Sequence, residues 1–217
     1  MQNPSIGRAE IAGVRVANTV ATHDEELAID RTLQGDLNAF NEPVFKYERI
    51  AYTVAYRMLQ SRDAASDAVQ ESFIKAFRAL SSFKGSSFKG WLMRIVINTC
   101  YDVLRLNSRF LIEDIDNDSY EDGERSFPHL VDSQESPQAF VERMELNAQL
   151  ELGLRALPKE QRVVLILCDI HGYRYEEISE ITGMTMGTVK SRLSRARQKL
   201  RDFLLRHADL ESFGLRN

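Results

Sequence analysis

Cysteine is scarce in this chain: there are two in 217 residues, Cys100 and Cys168, and both sit inside apolar helical patterns. That excludes a disulfide framework or a cysteine-rich metal site and reads as two buried free thiols in a reducing, cytoplasmic setting. Proline is nearly as rare, at five residues, so little of the chain is barred from helix. No apolar run approaches the roughly 18 residues needed to cross a bilayer, which excludes direct membrane insertion. The first residues, MQNPSIGRAEIAGVRVANTVATHDEE, lack a basic start followed by an apolar block, so they do not read as a secretory signal. Runs of alternating β-branched residues are also missing, which argues against a sheet.

Net charge is low as well, −4, and taken alone it would exclude a nucleic-acid binder. The distribution reverses that reading. Residues 113–135 hold nine acids against one base, Arg125, whereas residues 187–206 hold seven bases against one acid, Asp202. An acidic middle cancels a strongly basic C-terminal segment.

The pattern predicts an all-α protein of two small helical domains joined by a flexible acidic linker. Residues 1–22 have no steady period and read as a mobile tail. Helical spacing fills 23–106, with a stop and cap at Gly35-Asp36, a break at "QSRD" before Ala64, and a kink or late start at Asn41 ahead of Pro43. Residues 107–138 are acidic, aperiodic and closed by Pro137, as a linker would be. Helix resumes at 139 and runs to 207, broken at Leu157-Pro158, His171-Gly172 and Gly183, and 208–217 form a short tail.

The sharpest motif is "YEEISEITGMTMGTVKSRLSRARQKL", residues 175–200. A short helix turns Ile178 and Ile181 inward, Gly183 permits a tight turn, and Thr185 caps a second helix. There Val189, Leu193, Ala196 and Leu200 make an apolar stripe. Thr188, Lys190, Ser191, Ser194, Arg195 and Gln198 are left outward, with Arg192, Arg197, Lys199 and Arg201 on the flanks. These are the parts of a helix-turn-helix, whose second helix enters the major groove while surrounding bases engage phosphates. A merely solvated basic helix would have the charges but no reason for the glycine, the cap and the stripe together. Just upstream, Val163, Val164, Leu165, Ile166 and Leu167 are apolar nearly all round, enough for a core face and a second face that docks a protein partner. His171, beside the terminating Gly172, reads as a helix C-terminal cation or cap.

In the first half, "RDAASDAVQESFIKAFRAL" places Ala65, Val69, Phe73, Ala76, Phe77 and Leu80 on a core face and leaves Asp67, Gln70 and Glu71 elsewhere. The loop "SSFKGSSFKGW", residues 81–91, then sets Phe83, Phe88 and Trp91 among glycines, serines, Lys84 and Lys89. In the following helix Leu92, Ile95, Val96, Thr99 and Val103 face inward, and Arg94, Asn98, Tyr101, Asp102 and Arg105 form a polar ledge. Two readings of the loop stay open on composition: its rings cap a core, or they stack on unpaired bases while lysines meet phosphates.

Together, "DAASDAVQESFIKAFRAL", "SFKGSSFKGWLMRIVINTCYDVLR" and "LPKEQRVVLILCDIHGYRYEEISEITGMTMGTVKSRLSRARQKL" resemble bacterial RNA polymerase sigma factors of the extracytoplasmic-function (ECF) group, in the sigma-70 family. The resemblance implies a region 2 domain over 23–106, for polymerase docking and for recognising and melting the −10 element, and a region 4 domain over 139–207, for recognising the −35 element. It implies that Asp67, Gln70 and Glu71 dock on the clamp helices of the largest subunit of core RNA polymerase. It further implies that Phe83, Lys84, Ser86, Ser87, Phe88, Lys89, Arg94 and Asn98 hold the single-stranded −10 element with one base flipped out. Thr188, Lys190, Ser191, Arg192, Ser194 and Arg195 are implied to read the −35 element, and the helices around 146–170 to grip the flap of the second large subunit. Such a protein is a specificity subunit of transcription initiation and not an enzyme, has no cofactor, metal or catalytic residue of its own, binds promoter DNA, and is held in check by an anti-sigma factor. The alternative, a helix-turn-helix regulator without a polymerase role, would need a receiver or ligand domain with strands between its helices, and 24–106 shows no such alternation.

Overall fold

A computed structural model describes residues 23–84, 87–113 and 137–212; the expected tail at 1–22, the linker between 114 and 136, Ser86 and residues 213–217 lie outside the described residues. Among the described residues there are eight α-helices and no strand, as the pattern requires.

The chain breaks where its local chemistry demands. Helix α1 (His23–Leu33) is followed by Gly35 at φ +105°, where a side chain would be strained. The Asp36 carboxylate then accepts from the Asn38 N–H at 3.2 Å, and a 3-10 turn (Leu37–Phe40) leads into α2 (Asn41–Leu59). Pro43 lies in the first turn of α2, where its missing N–H leaves no helical bond unmade. Gln60, at φ 61°, ends α2, and the Ser61 hydroxyl caps α3 (Arg62–Ala79) by accepting from Ala64 N–H at 3.3 Å. After a 3-10 turn (Leu80–Ser82) and the loop comes α4 (Phe88–Glu113). Helices α2, α3 and α4 pack mutually and α1 lies against α2. There the buried Glu25 takes the Lys46 ammonium at 2.7 Å and the Tyr47 hydroxyl, whose pKa is raised chiefly by burial.

Three details differ from the sequence reading. Helix α4 continues past 106 to Glu113, and α5 (Pro137–Arg155) starts at the proline read as closing the linker; a proline at a first helical position has its φ already set. Phe77 is not fully inward: it is 39% exposed and meets Phe40 edge-on with ring centroids 5.3 Å apart. Helix α4 is covered on more than one side, for Met93, Ile97 and Cys100 are as buried as Leu92 and Val96, while Ile95 and Val103 are only half-buried.

The cause is the second domain, built from α5, α6 (Lys159–Leu165), a π-turn (Ile166–Ile170), α7 (Tyr175–Thr182) and α8 (Met186–Ser212). Helices α5, α6 and α7 all pack on α8. Gly153 lets α5 approach closely, since a Cβ there would overlap Leu200 and stand 3.1 Å from a Phe203 ring carbon. The run Val163 to Leu167 is wholly buried. One side packs on α8 and the other on α2 of the first domain, so the partner expected on its second face is this chain itself.

Polar contacts stitch that seam. Arg57 Nε donates to Glu151 Oε1 at 2.9 Å, and Arg155 Nε to Gln60 Oε1 at 2.8 Å. Arg162 donates to the Met58 carbonyl at 2.8 Å and to the Arg155 and Leu157 carbonyls at 2.9 and 3.1 Å. One guanidinium thus ties the end of α2 to the end of α5, where helix carbonyls lack intrahelical partners. Apolar side chains of both domains form one continuous buried cluster.

Candidate nucleic-acid interface

Helix α8 is fixed from behind and open in front. Thr185 caps it, its hydroxyl accepting from the Thr188 N–H at 3.3 Å. Helix α7 opens with the Glu177 carboxylate on the Arg174 N–H at 2.7 Å and closes at Gly183, at φ +70°. Val189, Leu193 and Ala196 are buried and Leu200 partly so, as the stripe predicts. Lys190, Ser191, Ser194 and Arg195 consequently stand exposed together, with Thr188 half-buried at the N-terminal end. Arg192 is the exception and a correction. It is half-buried with Nη1 3.0 Å from Met184 Sδ, because it follows the exposed pair by one position and falls on the flank beside the buried stripe. Arg197 is also diverted: its guanidinium grips Asp169 through Nε–Oδ2 at 2.9 Å and Nη2–Oδ1 at 2.5 Å, which raises its pKa and braces α8 on the π-turn. Beside the exposed face a groove of about 610 Å³ is lined by Tyr175, Lys190, Ser194 and Arg201 among others.

The aromatic loop is mostly a core cap. Phe88 is 0% exposed, enclosed by Phe40, Tyr47, Phe83 and Trp91 at centroid distances of 5.5–6.5 Å. Its expected role as a strand contact is therefore corrected: as the first residue of α4 it points inward with the helix's apolar stripe. Ser87 caps that helix, its hydroxyl accepting from the Gly90 N–H at 3.2 Å. Lys89 is likewise not a solvent-facing cation in this arrangement. It is 9% exposed with Nζ 4.6 Å from the centre of the Tyr173 ring in the other domain, and burial lowers its pKa. Phe83 is half-buried against Phe88 and Trp91, and Lys84, Arg94 and Asn98 are exposed.

Arg94 and Asn98 nonetheless look into clefts between the domains. One, of about 330 Å³, is lined by Ser87, Gly90, Trp91 and Arg94 on one wall and Glu177, Glu180 and Ile181 on the other. The next, of about 390 Å³, sets Asn98, Tyr101, Asp102 and Arg105 against Lys159 and Glu160. Tyr101, expected on an open ledge, has a buried hydroxyl and a pKa pushed up to about 12, chiefly by burial.

On α3, Asp67, Gln70 and Glu71 are exposed on one face, continued by Ile74 at 46% exposure. Of the two readings of His171, cation or cap, the structure shows the cap: it ends the π-turn with its N–H on the Ile166 carbonyl at 3.1 Å, while burial first, then Arg57 and Lys89, lower its pKa to about 4. The thiols of Cys100 and Cys168 are pushed up to about 12 and about 11, chiefly by burial. Among the described residues no three His, Cys, Asp or Glu side chains cluster to hold a metal ion, and no helix is long and apolar enough to cross a membrane.

Comparison with known proteins bears on both domains. The family model "Sigma-70 region 2" matches residues 44–110 and "Sigma-70, region 4" matches 147–200. The chain is 34% identical to the RNA polymerase sigma-H factor of Pseudomonas aeruginosa, over 82% of its own length and 91% of that protein. It is 35% identical to the ECF RNA polymerase sigma-E factor of Haemophilus influenzae, over 81% and 93%. The chain belongs to the ECF sigma factors.

An ECF sigma factor of Mycolicibacterium smegmatis, SigE, is 34% identical over 81% of this chain, a match spanning 65% of that longer protein. Among solved structures, the sigma factor RpoE in complex with the anti-sigma factor NepR, from Bartonella quintana, aligns with TM-score 0.61 and 28% identity, over 76% of this chain and 96% of that one. CnrH in complex with the cytosolic domain of CnrY shares the fold, with TM-score 0.60 and 24% identity over 83% and 97%. Within this sigma factor, region 2 corresponds to α2–α4 and region 4 to the end of α5 through α8. Sequence reasoning missed the acids facing the region 2 ledge, Glu160, Glu177 and Glu180. Their only signal was an acidic start on the helix before a basic one, and that pattern also serves the helix dipole.

Proposed function

We propose that this sigma factor carries core RNA polymerase to promoters, reads the −35 element as duplex through α8, and holds the melted −10 strand on the ledge of α4. The observation that carries the reading is the exposed set Lys190, Ser191, Ser194 and Arg195, on a helix whose opposite stripe is buried. A helix so anchored offers hydroxyls and cations to base edges in the major groove, while Lys199 and Arg201 lie near phosphates. On region 2, Phe83, Lys84, Arg94 and Asn98 supply a ring, two cations and an amide, the groups that suit an unpaired strand. The α3 face of Asp67, Gln70, Glu71 and Ile74 meets the clamp helices of the largest polymerase subunit. On α5, Leu146 is 61% exposed and suits the flap of the second large subunit.

The polymerase supplies the chemistry and this chain the selection of site. An anti-sigma factor controls it, as the RpoE–NepR complex at 28% identity suggests. Run-off transcription with core enzyme over a randomised promoter library tests the reading. Promoter-specific transcripts are expected. Specific DNA binding by the chain alone, with no initiation in the presence of core, would make it a helix-turn-helix regulator instead.

A further inference from the structure

Seven bases lie in residues 187–206, and the fold withholds one of them from its surroundings. Lys190, Ser194, Arg197 and Arg201 follow one another at helical spacing, displaced by one position from the buried stripe, and all four line the groove beside α8. Arg197 therefore stands between the base-reading set and Arg201, where a phosphate contact would be expected of it. Instead its Nε and Nη2 are both taken by Asp169, at 2.9 and 2.5 Å. That edge of a guanidinium is the one that forks onto two oxygens of a phosphate. Asp169 comes from another element, the π-turn, where the His171 N–H reaches back five residues to the Ile166 carbonyl at 3.1 Å. Such a turn is rare and occurs mostly as a local insertion at functional sites. The two side chains are 51% and 33% exposed, so the pair is within reach of a bound backbone.

We propose that Asp169 is a specificity-determining residue: by occupying Arg197 it keeps that cation off the DNA backbone, so that binding depends more on the bases read by α8. The proposal rests on the reading of α8 as the −35 reader. Each cation that meets a phosphate releases a counterion and steepens the fall of log K with log salt by about 0.9, whatever the sequence. Non-specific binding consists almost wholly of such contacts. In a specific complex the bases fix where α8 lies, and a backbone contact is made only if it fits. A non-specific complex is free to shift until every available cation has a phosphate. An extra available arginine therefore favours the wrong sites more than the right one, and promoter choice depends on that ratio. A carboxylate standing in for phosphate removes one sequence-blind contact while leaving the arginine on the helix.

The test uses the full chain and two fluorescent duplexes, one carrying the −35 sequence recovered from the promoter library and one with that sequence scrambled. Affinity is measured from about 50 to 200 mM salt. Asp169→Asn should tighten binding to the scrambled duplex several-fold at the low end and steepen its salt slope by about 0.9. Over that range the added contact amounts to about 3.5-fold, so the gain should shrink by that factor as salt rises. The recovered duplex should gain less. Asp169→Asn/Arg197→Gln should return the slope to that of the wild type, and Arg197→Gln alone should leave it there. Loss of a mere brace would instead lower the urea midpoint and weaken both duplexes together, with no steeper slope, and that result would overturn the proposal. Equal gains on the two duplexes would overturn it as well. So would a slope still steep in the double variant, since the lost acid and not Arg197 would then be the cause. A drop of about 0.9 from Arg197→Gln alone would mean that the paired arginine already holds a phosphate, with the same consequence. A wild-type chain with no preference for the recovered duplex would overturn the reading of α8 itself, and the proposal with it. Circular dichroism of each variant separates these outcomes from loss of fold.

Discussion

On α8 the residues that would read duplex project into solvent, whereas on α4 those that would hold a melted strand look into clefts walled by the other domain. Both surfaces are basic and both stand on helices with buried stripes. They differ in what lies in front of them. Duplex recognition needs only a rigid helix and access, and α8 has both in the free protein. Strand capture becomes useful only after melting, so a surface that opens late loses nothing by being covered early. Within the loop the same contrast recurs residue by residue: Lys84 is exposed, while Phe88, four positions on, is fully enclosed.

The largest effect should come from breaking that last contrast. Phe88→Ala removes a ring packed among four others and should cost about 3–5 kcal/mol of stability by urea denaturation. Lys84→Ala, at an exposed position, should stay within about 0.5 kcal/mol. Near-equal values would return Phe88 to the surface. Next, Gly153→Ala forces a methyl into Leu200 and Phe203 and should cost about 1–3 kcal/mol by overpacking. That loss should appear as a lower midpoint of urea denaturation, and an unchanged midpoint would mean that α5 and α8 are less close than described.

The reading face is sharpened by comparing two arginines three residues apart. Arg195→Ala should reduce discrimination against substituted −35 bases by about 1–3 kcal/mol at one position, if it makes a bidentate base contact. Arg192→Ala should leave the pattern of preferences unchanged, because Arg192 packs on Met184. Competition binding to single-base variants of the −35 duplex distinguishes them, and loss of preference from Arg192→Ala would place that residue back on the face.

What was legible in the sequence follows from how local the determining physics is. Helix stops at Gly35 and Gly183, the break at "QSRD", the caps at Asp36 and Thr185, and the stripe of α8 depend on residues within one turn of each other, and pattern reading found these sites. The exposed faces of α3 and α8 came from the same periodicity. Apart from Phe77 and the helix ends beside the linker, the errors lie at the seam or at the loop beside it. Phe88 looked like a loop aromatic because the start of α4 was not visible among serines and glycines. Lys89 and Tyr101 were read as solvent-facing because periodicity reports which side of a helix is apolar, not whether another domain covers its polar side, and the choice between cation and cap at His171 stayed open for the same reason. The over-apolar run Val163 to Leu167 was the one local sign that a second surface existed, and it did not say whose.

The smallest effect probes that seam without a large perturbation. His171 is held neutral with a pKa near 4 by burial and by Arg57 and Lys89 of the other domain. An exposed histidine titrates near 6.5. The closed form therefore binds fewer protons than the open one between those values, so its advantage is complete above about pH 6.5 and declines as pH falls toward 4. Two measurements follow: the ring protons of His171 should titrate near 4 by NMR in the free chain, and energy transfer between a dye pair at exposed S66C and K199C, one on each domain, should fall on acidification. Replacing Arg57 by Gln removes one of the two opposing cations and should move the histidine upward, while leaving Glu151 to be rehydrated. His171→Gln should flatten the part of the opening profile that lies between about pH 4 and 6.5. A histidine titrating near 6.5 in the wild-type chain would mean that the seam is open in solution, and the difference between the two nucleic-acid surfaces would then be one of sequence alone.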